Sequence, residues 1–337
     1  VNRVQKIRCV TLLSGGLDSK LAIRIMQEQG IEVEALNFKT IFTCCQDQSA
    51  QAARDLNVPL TVLTQQDDYL DIVKHPRFGY GKGANPCVDC RIYMFERAKS
   101  YMEQTGAQFI VSGEVVGQRP MSQKKRDLHA ISHHSGLEDL LLRPLSAQLL
   151  APTLPEREGW VDRSKLYQFF GRSRKGLIRL AKELGITDIP MPSSGCALTE
   201  PLFSRKVYDL VVLEPESSRW QFELLKHGRH FRYSEATKIV VGRNEPENDM
   251  LQYVHQQKDA SSALALVPQG FQGPVVLLVG EETEAGRHFA EGLMLRYSKI
   301  GPTETTATTI ERRGRSNETI IAQTDESAAA ALPITKQ

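Results

Sequence analysis

Two short stretches hold most of the residues that could do chemistry. Ser14, Gly15, Gly16, Leu17, Asp18 and Ser19 follow directly on the apolar run Cys9 to Leu13. Glycines there let backbone N–H groups approach an anion, the two hydroxyls can donate to phosphate oxygens, and a helix starting at Leu17 aims its positive end at the same spot. The spacing to Lys20 is not that of a Walker A loop. Asp18 would repel phosphate unless a divalent cation lay between them, so the stretch implies Mg²⁺. A tight turn with a helix cap is the plainer alternative.

The second stretch runs Asn85, Pro86, Cys87, Val88, Asp89, Cys90. Two thiols three residues apart at a helix start face one side and feel the helix dipole, which favours thiolates. Cys196, on a loop dense in proline and serine from Ile189, could supply a third soft ligand. Spacing alone also admits zinc, with Cys44, Cys45 or a histidine as fourth ligand.

The elements that must position these residues follow from periodicity. Leu17, Leu21, Ala22, Ile25 and Met26 recur at helical spacing and Gly30 stands where a C-terminal cap belongs. Strands are expected over Ile31 to Phe38, Leu60 to Leu63 and Phe109 to Val111, with helices over Gln48 to Leu56 and Cys90 to Gln104. Strand and helix alternate through the first two hundred residues, which predicts an α/β class, a doubly wound parallel sheet with ligands beyond the carboxyl ends of its strands. After about residue 214 short alternating strands predict a second, smaller α+β domain. From Gly301 the chain is rich in Thr, Ala, Ser and Glu without an aromatic residue and reads as a mobile tail. The expected domains are thus 1–213, 214–300 and a tail over 301–337.

Charge is nearly balanced, so its distribution carries more than its sum. Arg163 to Lys182 holds seven basic residues and no acidic one, among them Arg172, Arg174 and Lys175. A second run, Lys226 to Arg243, interleaves Arg229, Arg232, Lys238 and Arg243 with His227, His230, Phe231 and Tyr233. Both suit a polyanion, and both are also what a solvated face looks like. No apolar run is long enough to span a bilayer or serve as a secretory signal, so a cytoplasmic protein making no membrane contact is expected.

The stretch Ser14 to Ser19 after a first strand resembles the signature of the PP-loop ATP pyrophosphatases. The resemblance implies cleavage of ATP between its α and β phosphates and transfer of AMP to a carbonyl oxygen, with Asn37 and Phe38 against adenine. Among enzymes of this kind, those that install sulfur in tRNA are similar in having an Asn-Pro stretch with a cysteine and a distant partner cysteine. Cys87, Cys90 and Cys196 match the branch that binds a [4Fe–4S] cluster with one iron open for sulfide. Ser112 to Gln123 and Leu141 to Ser146 resemble the 4-thiouridine synthetases, in which a small-residue turn at the position of Gly113 completes the nucleotide site. No RNA-binding domain is expected before the PP-loop and no rhodanese domain after it, and the missing rhodanese favours a cluster and free sulfide; sulfide or a sulfur donor protein is the expected partner.

Leu224 to Asn248 resembles the small NFACT-R domain. That likeness implies RNA contact, with Arg229, Arg232, Lys238 and Arg243 on phosphates and Phe231 or Tyr233 stacked on a base, although those two rings could equally pack in a small core.

The expectation is an ATP-dependent tRNA uridine thiolase working on tRNA, with ATP, Mg²⁺ and the cluster, and with Asp18 and the three cysteines at its catalytic centre. Pairing into a homodimer is expected by the same resemblance. Three alternatives stay open: a persulfide on Cys90 resolved by Cys196, an adenylating ligase for a small molecule, and a non-catalytic RNA-binding protein.

Overall fold

The computed structural model describes residues 6–43, 48–191, 196–300 and 306–336. The chain divides into two compact units, Val1–Ala197 and Leu198–Gln337.

In the first unit the elements run β1 (Arg8–Leu12), α1 (Leu17–Glu28), β2 (Glu32–Lys39), α2 (Gln48–Asp55), β3 (Leu60–Thr64), α3 (Asp68–Lys74), α4 (Cys87–Thr105), β4 (Phe109–Val111), α5 (Lys125–His134), β5 (Leu141–Leu142), α6 (Leu154–Arg157) and α7 (Lys175–Glu183). The five strands form one sheet in the order β3-β2-β1-β4-β5, and every pairing is parallel. This is the doubly wound sheet expected from the sequence. Its apolar strands are covered on both faces: Cys9, Val33, Ala35 and Phe109 pack with α1 and α7, whereas Val10, Leu36 and Ile110 pack with α4 and α5.

The order reverses at β1. The chain builds β2 and β3 on one side of it and returns to lay β4 on the other, with Thr11 opposite Val111. The crevice at the carboxyl ends of β1 and β4 is therefore the switch point at which such sheets bind ligands. α4 begins at Cys87, three residues earlier than periodicity suggested, because Pro86 in the position before it needs no N–H partner. It ends at Gly106, which takes the left-handed conformation at φ 70° and donates its N–H to the Met102 carbonyl.

The second unit contains α8 (Pro201–Leu213), α9 (Arg219–Leu224), β6 (Arg229–Ser234), β7 (Thr237–Val241), α10 (Glu245–His255), β8 (Ser262–Pro268), β9 (Val276–Gly280), α11 (Glu284–Arg296), β10 (Thr306–Glu311), β11 (Glu318–Ala322) and α12 (Glu326–Ala330). Its six strands form an antiparallel sheet ordered β11-β10-β8-β9-β7-β6. Phe289 and Leu293 of α11 cover one face with Phe231 and Ile239, and Trp220 and Leu251 cover the other with Val240 and Leu277.

Two expectations about organisation are corrected here. The boundary falls before α8 rather than after it, because α8 is tied into the second unit: Val207 and Leu210 are buried, and Lys206 Nζ donates to the Leu225 carbonyl at 2.9 Å. The stretch expected to be a mobile tail supplies two strands of the sheet. Thr308, Thr309 and Ile310 are buried and β10 pairs with β8, so β-branched residues anchor what no aromatic residue does.

Candidate nucleotide and cysteine site

The turn after β1 is built for close backbone approach. Gly15 has φ +80°, and a Cβ on it would stand 2.6 Å from Gln48 Cβ and 2.7 Å from the Gln48 carbonyl carbon. Gly16 precedes the first residue of α1 in extended conformation with no side-chain cap, leaving the helix N-terminus open to a ligand. The Ser19 hydroxyl donates to the Gly16 carbonyl at 2.8 Å, and the Ser14 oxygen lies 3.4 Å from Ser19 Oγ. Lys20 does not face the cradle: it is buried and its ammonium is 2.6 Å from Asp188 Oδ2. Asn37 donates its amide to the Leu13 carbonyl at 2.7 Å, bracing the end of β1, with Phe38 next to it packed against the α4 side of the sheet.

Gly113, at the end of β4, closes over this turn. A Cβ there would stand 2.5 Å from both the carbonyl carbon and oxygen of Asp18 and 2.7 Å from the Ser19 nitrogen. The loop beyond is held from below. Glu114 is buried in an ion pair with Arg143 at 2.9 Å and stands 3.5 Å from Arg91. Ser146 Oγ accepts from the Val116 N–H at 3.0 Å and donates to the Phe169 carbonyl at 2.6 Å. These contacts join the two stretches, Ser112–Gln123 and Leu141–Ser146, that the sequence singled out separately.

Asp18 is the electrostatic centre of the turn. Burial raises its carboxyl pKa, opposed by a hydrogen bond from Gln118 and by the charges of Arg174 and Arg119. Its Oδ1 is buried and has no hydrogen-bond partner among the described residues. A carboxylate oxygen orphaned beside an open helix N-terminus fits Mg²⁺, which is commonly bound through one or two carboxylates and the phosphates of its nucleotide.

Cys87, Cys90 and Cys196 all lie in the first unit. Ala197 N–H donates to the Phe42 carbonyl at 3.1 Å, the Phe42 ring packs 6.3 Å from that of Tyr69, and the Tyr69 hydroxyl donates to Cys90 Sγ at 3.3 Å. Asn85 Nδ2 donates to Cys87 Sγ at 3.0 Å. Tyr69 and Cys90 each feel the charges of the other two sulfurs. The Arg119 guanidinium feels the charges of Cys87, Asp18 and Cys196. Its side chain is exposed, and desolvation by neighbouring atoms together with the charge of Arg91 lowers its pKa.

The expectation that the helix start favours a Cys90 thiolate is corrected. Burial pushes the Cys90 thiol up to about 11, against the Tyr69 hydrogen bond and the Arg91 charge. Among the described residues no group of three or more His, Cys, Asp or Glu side chains is arranged to hold a metal ion. A multinuclear cluster takes one thiolate per iron, and the donor set of three sulfurs, two of them receiving hydrogen bonds, fits that group in kind. Cys44 and Cys45 lie outside the described residues.

The RNA-contact residues divide sharply. Arg172 and Lys175 are exposed, while Arg174 turns inward, its Nη2 donating to the Pro190 carbonyl at 3.0 Å. Lys238 is 1% exposed and 3.1 Å from Glu214 Oε1; Arg232 pairs with Asp209 and Glu214. Those two are therefore withdrawn as phosphate contacts. Arg243 is paired with Glu247, and Arg229 lies over the Tyr297 ring at 4.7 Å. Phe231 is fully buried in the core and cannot stack on a base; Tyr233 remains partly exposed beside Phe289.

Sequence reasoning missed Tyr69, Gln118 and Arg119. The last two lie inside a stretch already singled out for its resemblance; nothing local in the sequence marks Tyr69.

Comparison with known proteins adds two family matches. Residues 5–148 match the family described as thiamine biosynthesis protein (ThiI), and residues 228–331 match the NFACT protein RNA binding domain. Curated relatives include the tRNA-specific 2-thiouridylases MnmA of Azorhizobium caulinodans, 26% identical over 205 residues covering 56% of this chain and 49% of that protein, and of Leptospira interrogans, 27% identical over 120 residues covering 29% and 32%. The chain spans between about a third and a half of the length of these relatives. Among solved structures, a 4-thiouridine synthetase in complex with RNA and bound ATP is 23% identical, covering 64% of this chain and 53% of that one, with a TM-score of 0.35.

Proposed function

We propose that this chain, in which a ThiI-type PP-loop segment precedes an NFACT-R-type segment, is an ATP-dependent tRNA uridine thiolase. The observation that supports the reading is the turn after β1, where a buried Asp18 oxygen without a hydrogen-bond partner among the described residues lies beside the uncapped start of α1, within the segment that matches the ThiI family.

In this reading Ser14, Gly15, Gly16, Ser19 and the start of α1 hold the phosphates, Asp18 takes Mg²⁺ through its orphaned oxygen, Asn37 and Phe38 border adenine, and Gly113 closes the pocket. The uridine carbonyl oxygen forms a bond to the α-phosphorus while the α–β anhydride breaks and pyrophosphate leaves. Sulfide then adds to the ring carbon and AMP departs with the former carbonyl oxygen. Arg119 and Arg174 are placed to offset the negative charge that builds on the α-phosphoryl group.

Cys87, Cys90 and Cys196 would hold a [4Fe–4S] cluster, which when bound supplies an open iron for sulfide. A persulfide carried on Cys90 and resolved by Cys196, without a cluster, is the alternative route for the same reaction. The substrate would be cytoplasmic tRNA, with sulfide or a donor protein as the sulfur source. Among the described residues no helix is long and apolar enough to cross a membrane.

Pyrophosphate release from ATP tests the reading. Release that requires bulk unmodified tRNA is expected. Release without RNA would favour the small-molecule ligase, and tight RNA binding with no release would favour a non-catalytic RNA-binding protein.

A further inference from the structure

Phe170 is the exception in a run of packed aromatic residues. Tyr167 and Phe169 stack on each other with ring centroids 5.5 Å apart and pack against the core, whereas Phe170 is 70% exposed. Its backbone is nevertheless firmly placed. Phe170 forms a parallel bridge with Val116, Gly171 N–H donates to the Val116 carbonyl at 2.8 Å, and Phe169 N–H donates to the Leu145 carbonyl at 2.8 Å. Its ring lies so close to Gly117 that a Cβ there would meet Phe170 Cε2 at 3.0 Å. The ring thus sits on the loop that carries Gln118 and Arg119 to Asp18.

The charge beside it is of one sign. After the left-handed turn at Gly171 come Arg172, Lys175, Arg179 and Lys182, all exposed and none with a carboxylate partner among the described residues. Arg163 and Lys165, earlier in the same basic run, are already paired with Glu156 and Asp162. Lys175, Arg179 and Lys182 recur at i, i+4 and i+7 along α7, opposite the buried Leu177, Leu180 and Ala181, and Glu183 is the acidic residue that ends the helix. The start of α7 adjoins the aromatic run, since a Cβ on Gly176 would meet the Phe169 ring at 2.7 Å.

A single held ring beside a row of unpaired cations suits a polyanion that also offers flat faces. We propose that Phe170 is the stacking platform for an unpaired RNA base at the mouth of the site, with the adjoining backbone running along Arg172, Lys175, Arg179 and Lys182. The inference rests on the tRNA reading above and adds a specific base contact to it. An apolar protein partner would need a wider patch than one phenylalanine ringed by cations.

Equilibrium binding of labelled unmodified tRNA to the full chain, over a range of salt, tests it. Phe170→Ala should weaken binding by about 5- to 150-fold without changing the salt slope, and Phe170→Trp should restore it. Replacing Arg179 with alanine should lower the slope by about one instead. Unchanged affinity in Phe170→Ala overturns the platform alone. Failure of the wild-type chain to bind tRNA at all overturns the platform together with the tRNA reading.

Discussion

The Tyr69 hydroxyl donates a hydrogen bond to the Cys90 sulfur across 3.3 Å, from a phenol that is 2% exposed. This contact favours the thiolate, while burial opposes it and prevails, holding the thiol at about 11 against an ordinary value of 9.0. Below the ordinary value both folded and unfolded chains keep the proton; between the two values only the folded chain does. Alkylation of Cys90 in the metal-free protein is therefore expected to run about two orders of magnitude slower near pH 8 than in the unfolded chain, and to rise as pH approaches 11. Tyr69→Phe should push that rise to still higher pH. Peptide mapping after timed iodoacetamide treatment reads both effects, and a Cys90 that alkylates at the unfolded rate would contradict the assignment.

Gly113 and Asp18 touch through backbone atoms, so the pocket leaves no room for a methyl group at position 113. Gly113→Ala must displace either the β4 loop or the phosphate turn, at about 1–3 kcal/mol, and ATP affinity should fall by roughly 5- to 150-fold. Titration calorimetry with ATP and Mg²⁺ measures it. Wild-type affinity would show that the nucleotide does not use this junction.

In the second unit, Glu214 accepts from Arg232 at 2.9 Å and from the buried Lys238 at 3.1 Å. Burial works to raise its pKa and is overcome by Lys238 and Arg232, leaving it lowered. Glu214→Ala would strand the Lys238 charge in the core, a loss of about 3–5 kcal/mol near neutral pH. Burial already lowers the Lys238 pKa. The deficit should therefore shrink as pH climbs toward the unfolded lysine value, because the folded state can then shed the proton first. Urea unfolding at several pH values tests this, and a loss below about 1 kcal/mol would contradict a structural role for the ion pair.

The parallel sheet and the phosphate turn were legible because both are local: an apolar run, two glycines and a 3.6-residue repeat lie within about twenty residues of one another. That Cys87, Cys90 and Cys196 act together is an expectation from breakers, spacing and a family resemblance. What the sequence hid is pairing at a distance. Lys238 and Arg232, on two strands, look like phosphate ligands until Asp209 of α8 and Glu214 just past its end are seen to neutralise them. Phe231 looks like a stacking residue until the β-strand alternation is set against two covered faces. Thr308 to Ile310 look like a tail because composition weighs aromatic residues above β-branched ones. Arg119 and Tyr69 gain meaning only from neighbours that the fold brings to them.

The central claim is that the cysteine group beside the nucleotide turn puts sulfur into tRNA. Its most direct measurement is mass spectrometry of nucleosides from bulk unmodified tRNA, incubated anaerobically with iron- and sulfide-reconstituted protein, ATP and sulfide. Thiouridine formed by the wild-type chain in an ATP-dependent manner, and lost in Cys196→Ala while that variant still binds ATP, is the expected result. Thiouridine at wild-type yield from Cys196→Ala, or none from a wild-type chain that binds both ATP and tRNA, would contradict it.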